Sequence, residues 1–109
     1  MDLRERIVSV LTDDLRHVPW KKSANPIAGH CYVVSEALYH LEQGRYKGCS
    51  VKHEGHTHWY LTDRETGAIV DLTAGQFETP VPYDRGRGRG FLTKQPSKRT
   101  QEVIRRVNT

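Results

Sequence analysis

The chain has 109 residues, a formal net charge of +4 and 36% hydrophobic residues, which suits one domain with a thin core and leaves little room for a second. No run approaches the roughly 20 consecutive apolar residues that a membrane span needs. The charged opening Met-Asp-Leu-Arg-Glu-Arg does not read as a signal peptide, so a cytoplasmic protein without membrane contact is the expectation.

Residues 2–18 carry Leu3, Ile7, Val8, Leu11 and Leu15 at spacings of three and four, which predicts an amphipathic helix ended by Pro19. Residues 19–28 then read as a loop, with Trp20 tucked against the body. A second, central helix is expected from Gly29–Cys31 to Gln43, with Cys31, Val34, Ala37, Leu38 and Leu41 on one face and Gly44 as its stop. Three strand candidates follow: 45–53, the weakest, then His58–Leu61 and Ile69–Leu72. The last two flank Asp63–Gly67, a polar stretch of hairpin type. Residues 74–95 hold Pro80, Pro82 and several glycines and read as an irregular loop. Ser97 is placed to cap a final helix of about ten residues with Val103, Ile104 and Val107 facing inward. The elements amount to one α+β domain over 1–109, a Cys-bearing helix packed on a small antiparallel sheet.

Charge is unevenly spread. Between Arg85 and Arg106 there are eight Lys or Arg residues against one acid, Glu102. This basic segment (85–109) is either a site for an anionic partner, nucleic acid or an acidic protein, or a solvated helix face and loop. Arg85, Arg87 and Arg89 interleaved with Gly86, Gly88 and Gly90 admit the same two readings, a phosphate clamp or a flexible soluble loop.

The chemistry concentrates on three residues. Cys31 stands at a helix start, where unpaired backbone N–H groups and the positive end of the helix dipole favour a thiolate. His56 and His58 share strand parity and point to one face, so either is a candidate base for that thiolate. Asp71 lies on the strand expected to pair with the histidine strand, within reach of an imidazole N–H. A metal site built from the two histidines and a cysteine lacks a third or fourth ligand at recognisable spacing, so no metal or other cofactor is expected. Cys49 reads as a bystander, and both cysteines as free thiols. Trp59 reads as core and Tyr32 as a pocket wall.

The run Ala28-Gly29-His30-Cys31-Tyr32-Val33-Val34 resembles the Gly-x-Cys helix start of papain-like and transglutaminase-like proteins. His58-Trp59-Tyr60-Leu61 and Val70-Asp71-Leu72-Thr73 are similar to their histidine-strand and aspartate-strand motifs. Asp71-Leu72-Thr73-Ala74-Gly75-Gln76-Phe77 is similar to the Asp-Leu-Thr-x-x-Gln-Phe motif of small bacterial and phage-encoded YunG-like proteins. The resemblance covers roughly residues 28–77. It implies a papain/transglutaminase-like core with Cys31 as nucleophile, His58 as base and Asp71 as orienter. The implied activity is that of a cysteine hydrolase or transferase acting on a protein or small amide through a thioester, located in the host cytoplasm if phage-encoded. Peptidase, deamidase and transglutaminase-like outcomes all stay open. The papain pattern often places a glutamine shortly before the cysteine, and Ser23–His30 has none. One oxyanion donor is then the backbone N–H of Cys31. The candidates for a second are His30, Asn25 and Gln76, with His56 as a further substrate-side group.

Overall fold

The computed structural model describes residues 2–12, 15, 30–77, 79–88, 91 and 95–109, with the side chain of Gln76 excepted. Among these, three helices and a four-stranded antiparallel sheet make a mixed α+β fold. The helices are α1 (Leu3–Ser9), α2 (Cys31–Leu41) and α3 (Lys98–Val107); the strands are β1 (Tyr46–His53), β2 (His56–Asp63), β3 (Ile69–Val70) and β4 (Arg87–Gly88). The sheet order is β3-β2-β1-β4.

Helix α1 is shorter than its hydrophobic stripe suggests. Asp2 caps it by accepting from the Glu5 N–H at 2.9 Å. It closes after Ser9, where the Val10 and Leu11 N–H groups reach back only three residues, to Ile7 and Val8. Beyond that point tertiary partners claim the backbone: Arg106 donates to the Val10 carbonyl at 3.0 Å and His30 Nε2 lies 3.0 Å from that of Thr12. Propensity yields to packing here. Leu15 is still buried, as its place on the stripe requires. The remainder of the expected helix, its Pro19 stop and Trp20 lie outside the described residues.

Helix α2 is the hub. Every residue from Val33 to Leu38 is buried, including the acid Glu36. Glu36 is satisfied by the Tyr32 hydroxyl at 3.1 Å and by the Ser97 N–H at 2.9 Å, which ties the start of α3 to the middle of α2. Ser97 in turn caps α3 through the Thr100 N–H, and Val103 and Val107 face inward as their spacing predicts.

The stretch that reads as the weakest strand in sequence is one of the two longest. All eight residues of β1 pair with all eight of β2, from Tyr46 opposite Asp63 to His53 opposite His56. The signal is the two-residue turn Glu54-Gly55, whose φ values of 49° and 78° are both positive, the geometry that matches hairpin twist. The β2–β3 connection follows the expected polar turn, with the Asp63 carboxylate accepting from the Glu65 and Thr66 N–H groups at 2.8 and 3.2 Å.

Strand alternation divides the core between the two sheet faces. Tyr46, Leu61 and Val70 join the helices in one apolar cluster with Ile7, Val33, Val34, Ala37, Leu38, Val103 and Val107. Cys49, Val51 and Tyr60 form a second cluster with Phe77 and Val81 on the opposite face. The segment expected to be an irregular loop therefore covers this face. It is built from 3₁₀ turns at Ala74–Gln76 and Tyr83–Arg85 before Arg87 and Gly88 join the sheet edge as β4.

Two glycines of that segment make opposite demands. A Cβ at Gly86 would run into the Tyr60 hydroxyl and ring, whereas one at Gly88 would meet only the movable end of the Lys47 side chain. Gly86→Ala should therefore cost about 1–3 kcal/mol, the usual range for overpacking a fixed site, while Gly88→Ala stays close to wild type. Urea denaturation of the two variants checks this, and equal losses would contradict it.

Candidate active site

Strand β3 pairs only with Leu61 and Thr62 of β2. Among the described residues no strand then flanks β2 at Thr57 and His58, on the side where the start of α2 arrives. There the Cys31 thiol sits 4.0 Å from the Thr57 carbonyl, half-exposed, at the first residue of α2.

His58, the next residue along β2, is fully buried on the face opposite the helices. Its ring meets Phe77 edge to face at a centroid distance of 4.9 Å, so the phenylalanine of the Asp71–Phe77 motif forms part of its cover. Burial without a partner would be costly for such a group. Asp71 supplies the partner: His58 Nε2 lies 2.6 Å from Asp71 Oδ2, and the Asp71 side chain is only 4% exposed.

Asp71 reaches this position from just past the strand rather than from within it. β3 ends at Val70, and continuing its register sets Asp71 opposite Tyr60, so the contact with His58 is diagonal. The carboxylate is fixed by three further bonds. Oδ1 accepts from the Thr73 N–H at 3.2 Å and the Thr73 hydroxyl at 3.4 Å, and Oδ2 also accepts from the Tyr83 hydroxyl at 2.7 Å. An acceptor so placed keeps a proton on Nε2 in both the neutral and the charged form of His58. The other nitrogen, Nδ1, is buried and makes no conventional hydrogen bond, and the remaining group that acts on the ring is the Cys31 thiol.

The electrostatics follow from this arrangement. Burial alone would lower the pKa of His58, but the hydrogen bonds and charges of Asp71 and Cys31 outweigh it and push the pKa up to about 9. For Asp71, burial works toward a higher pKa and is overcome by His58, Tyr83 and the Thr73 N–H, so the carboxyl is held below its ordinary range. The Tyr83 hydroxyl is raised by burial and by Asp71, and stays protonated as a donor.

The other candidate residues do not gather at this point. His56 stands half-exposed at the hairpin end of β2, two residues from His58. The His30 ring is wholly buried, turned to the Thr12 carbonyl, and is therefore not presented to a bound substrate. Asn25 lies outside the described residues; of Gln76 only the backbone is described, within the 3₁₀ turn that follows Asp71. Tyr32 sits in an aromatic group, edge-on to Trp59 at 5.0 Å and to Phe91 at 5.6 Å. Cys49 is buried beside Thr62, at 3.6 Å, apart from the three. Among the described residues no three His, Cys, Asp or Glu side chains converge as a metal ion would need.

Three of the eight cations of the basic segment have partners within the molecule. Arg99 donates to the Leu15 carbonyl at 3.1 Å, Arg105 pairs with Glu102, and Arg106 bridges Glu102, Val10 and Thr12. Arg85, Arg87 and Lys98 remain exposed; Arg89 and Lys94 are outside the described residues.

Sequence reasoning did not find Tyr83. Its only local signal is a proline-rich surrounding, which reads as loop, and its partner Asp71 is twelve residues away. Thr73 was within reach, since an Asp-x-Thr sequence lets the carboxylate accept the N–H two residues on. No family model, curated protein or solved structure matches this chain.

A raised histidine stabilises the fold below its unfolded pKa and stops doing so as pH climbs through its folded one. For His58 the window runs from 6.5 to about 9, and stability should fall across it by on the order of 3 kcal/mol. The lowered Asp71 acts at the other end: its contribution is present above 3.8 and disappears on acidification below that. Chemical denaturation from pH 6 to 9.5 should show the alkaline loss in the wild type and not in His58→Gln. A titration of His58 by NMR should place its midpoint near 9 and lower it in Cys31→Ala, which removes one of the two raising partners.

Proposed function

We propose that the protein is a cysteine-dependent amide or acyl hydrolase or transferase of the papain/transglutaminase-like kind, with Cys31 as nucleophile, His58 as general base and acid, and Asp71 as the residue that orients His58. The observation that carries this reading is the buried His58–Asp71 pair at 2.6 Å beside a half-exposed thiol at a helix start. The second ring nitrogen of His58 is buried without a hydrogen bond, and the Cys31 thiol is the other group that acts on the ring, which supports a base for that thiol.

In the first step the Cys31 sulfur, deprotonated by His58, attacks a carbonyl carbon and forms a C–S bond. The oxyanion is stabilised by the Cys31 backbone N–H and the positive end of α2. Collapse breaks the C–N bond, and the His58 imidazolium delivers its proton to the departing amine, leaving a thioester. Neutral His58 then takes a proton from water or from an amine as that group attacks, and the thiolate leaves. Water gives a peptidase or deamidase outcome and an amine gives transfer. Asp71 stays ionised throughout, holding Nε2–H and compensating the imidazolium. The substrate class is a protein side chain, peptide bond or small amide.

A non-enzymatic reading, in which Arg85 and Arg87 engage nucleic acid or an acidic partner, is separated by experiment. Iodoacetamide at pH 6 should alkylate Cys31 at least tenfold faster than Cys49, with most of the difference lost in His58→Ala. An acyl-donor amide or activated ester should be consumed by the wild type and not by Cys31→Ala, with Arg85→Ala/Arg87→Ala retaining activity. Equal and slow labelling of both cysteines would overturn the proposal.

A further inference from the structure

We infer that Tyr83 is a positioning residue for the thiol centre: its hydroxyl, donating 2.7 Å to the same Asp71 oxygen that receives His58 Nε2, keeps Asp71 a weak, fixed acceptor so that the proton stays on Nε2 and Nδ1 stays open to Cys31. The inference rests on the reading of Cys31, His58 and Asp71 given above and adds a fourth member to it.

Three observations carry it. First, the bonding of Asp71 is complete without solvent: Oδ1 takes Thr73 twice and Oδ2 takes His58 and Tyr83. A carboxylate shared by several donors has its charge dispersed and is less able to draw the proton off the imidazole. Second, Tyr83 is held independently of Asp71. It begins the 3₁₀ turn Tyr83–Arg85, and its ring meets Tyr60 edge to face at 5.0 Å. Third, the approach is enforced by Gly86, where any side chain would collide with Tyr60. The hydroxyl is thus delivered by a built support, in line with how precisely held sites are constructed.

The groups around the pair set what a change at Tyr83 can do. Asp71 is faced by His58 and Tyr60 from β2, by Thr73 from its own segment and by Tyr83; His58 is faced by Asp71 and by Cys31 from α2. Cys49 of β1 acts on Tyr60 and lies beyond the pair. Removal of the Tyr83 hydroxyl leaves His58 as the main compensating group, and both members of the pair must respond.

Tyr83→Phe keeps the ring on Tyr60 and deletes only the donor. Carboxyl and imidazole NMR titrations should then move the Asp71 midpoint up by about half a pH unit or more, with His58 moving up alongside it. The rate of Cys31 alkylation at pH 6 should change with them, while that of Cys49 stays at its wild-type value. A 3-fluorotyrosine placed at position 83 keeps the hydroxyl as a stronger donor and should move the Asp71 midpoint down, which preserves the test if the phenylalanine variant does not fold. Tyr60→Phe, whose hydroxyl makes no bond to Asp71, serves as the packing control. If Tyr83→Phe lowers stability while the Asp71 midpoint and the alkylation profile coincide with wild type, Tyr83 is a packing residue and the inference is overturned. A wild type in which Cys31 and Cys49 label equally would instead remove the underlying reading of the site, so the two failures are distinct.

Discussion

A carboxylate and an imidazole taken out of water together are the constraint around which this fold is arranged. Either group alone would be expensive to bury, and each makes the other tolerable only at close range and with its remaining polar atoms answered. Asp71 and His58 meet at 2.6 Å, and the other Asp71 lone pairs are answered by Thr73 and Tyr83. Around them Phe77, Val81 and Tyr60 exclude solvent. That cover is why Ala74–Gln76 and Tyr83–Arg85 adopt defined turns even though the composition around them is that of a loop.

The same pair explains why the sheet is lopsided. β1 and β2 match along eight residues, whereas β3 stops after two. A longer β3 would occupy the edge of β2 at Thr57 and His58, where Cys31 arrives. It would also draw Asp71 into a ladder instead of freeing it to accept from Thr73 and Tyr83. The short strand lets Asp71, at a strand exit, reach His58 in the interior of β2, on the side where the start of α2 arrives. The start of α2 is itself anchored: His30, immediately before Cys31, lies against the Thr12 carbonyl, and Arg106 holds the Thr12 hydroxyl at 2.7 Å. His30, one of three candidates for a second oxyanion donor, is thereby a strut for the helix start.

How much of this could be read from the sequence differs by element, for physical reasons. α2 and α3 were legible because apolar spacing, a capping serine and a stop glycine agree with one another. The β2–β3 turn was legible through Asp63 and Gly67. β1 was undervalued because Tyr-Lys-Gly-Cys-Ser-Val-Lys-His alternates weakly; its stability comes from pairing with β2 along its whole length, which composition does not display. α1 was overextended because a hydrophobic stripe reports which side chains are buried, not whether the backbone between them is helical; Leu15 is buried without lying in that helix. At the site, Cys31, His58 and Asp71 were legible as residue types on expected elements. The resemblance already favoured His58 over His56, and the diagonal contact with Asp71 is the geometry that separates the two. Tyr83 needed the three-dimensional path of a segment whose prolines and glycines carry no signal for where a hydroxyl will land.

The basic C-terminal segment shows why a charge count is weak evidence for an anionic partner. Arginine satisfies backbone carbonyls as readily as phosphates, because its planar fork presents several donors at once. Arg99 and Arg106 are spent on the carbonyls of Leu15 and Val10, and Glu102 answers Arg105 and Arg106. Arg6 donates to the Val107 carbonyl at the other end of α3. Arg99 and Arg106 bond groups beyond the end of α1, so α3 acts as a clamp on Val10, Thr12 and Leu15. Through Thr12 and His30 that clamp reaches the start of α2. Part of the positive charge, on Arg99 and Arg106, is therefore engaged in holding the segment that meets the start of α2.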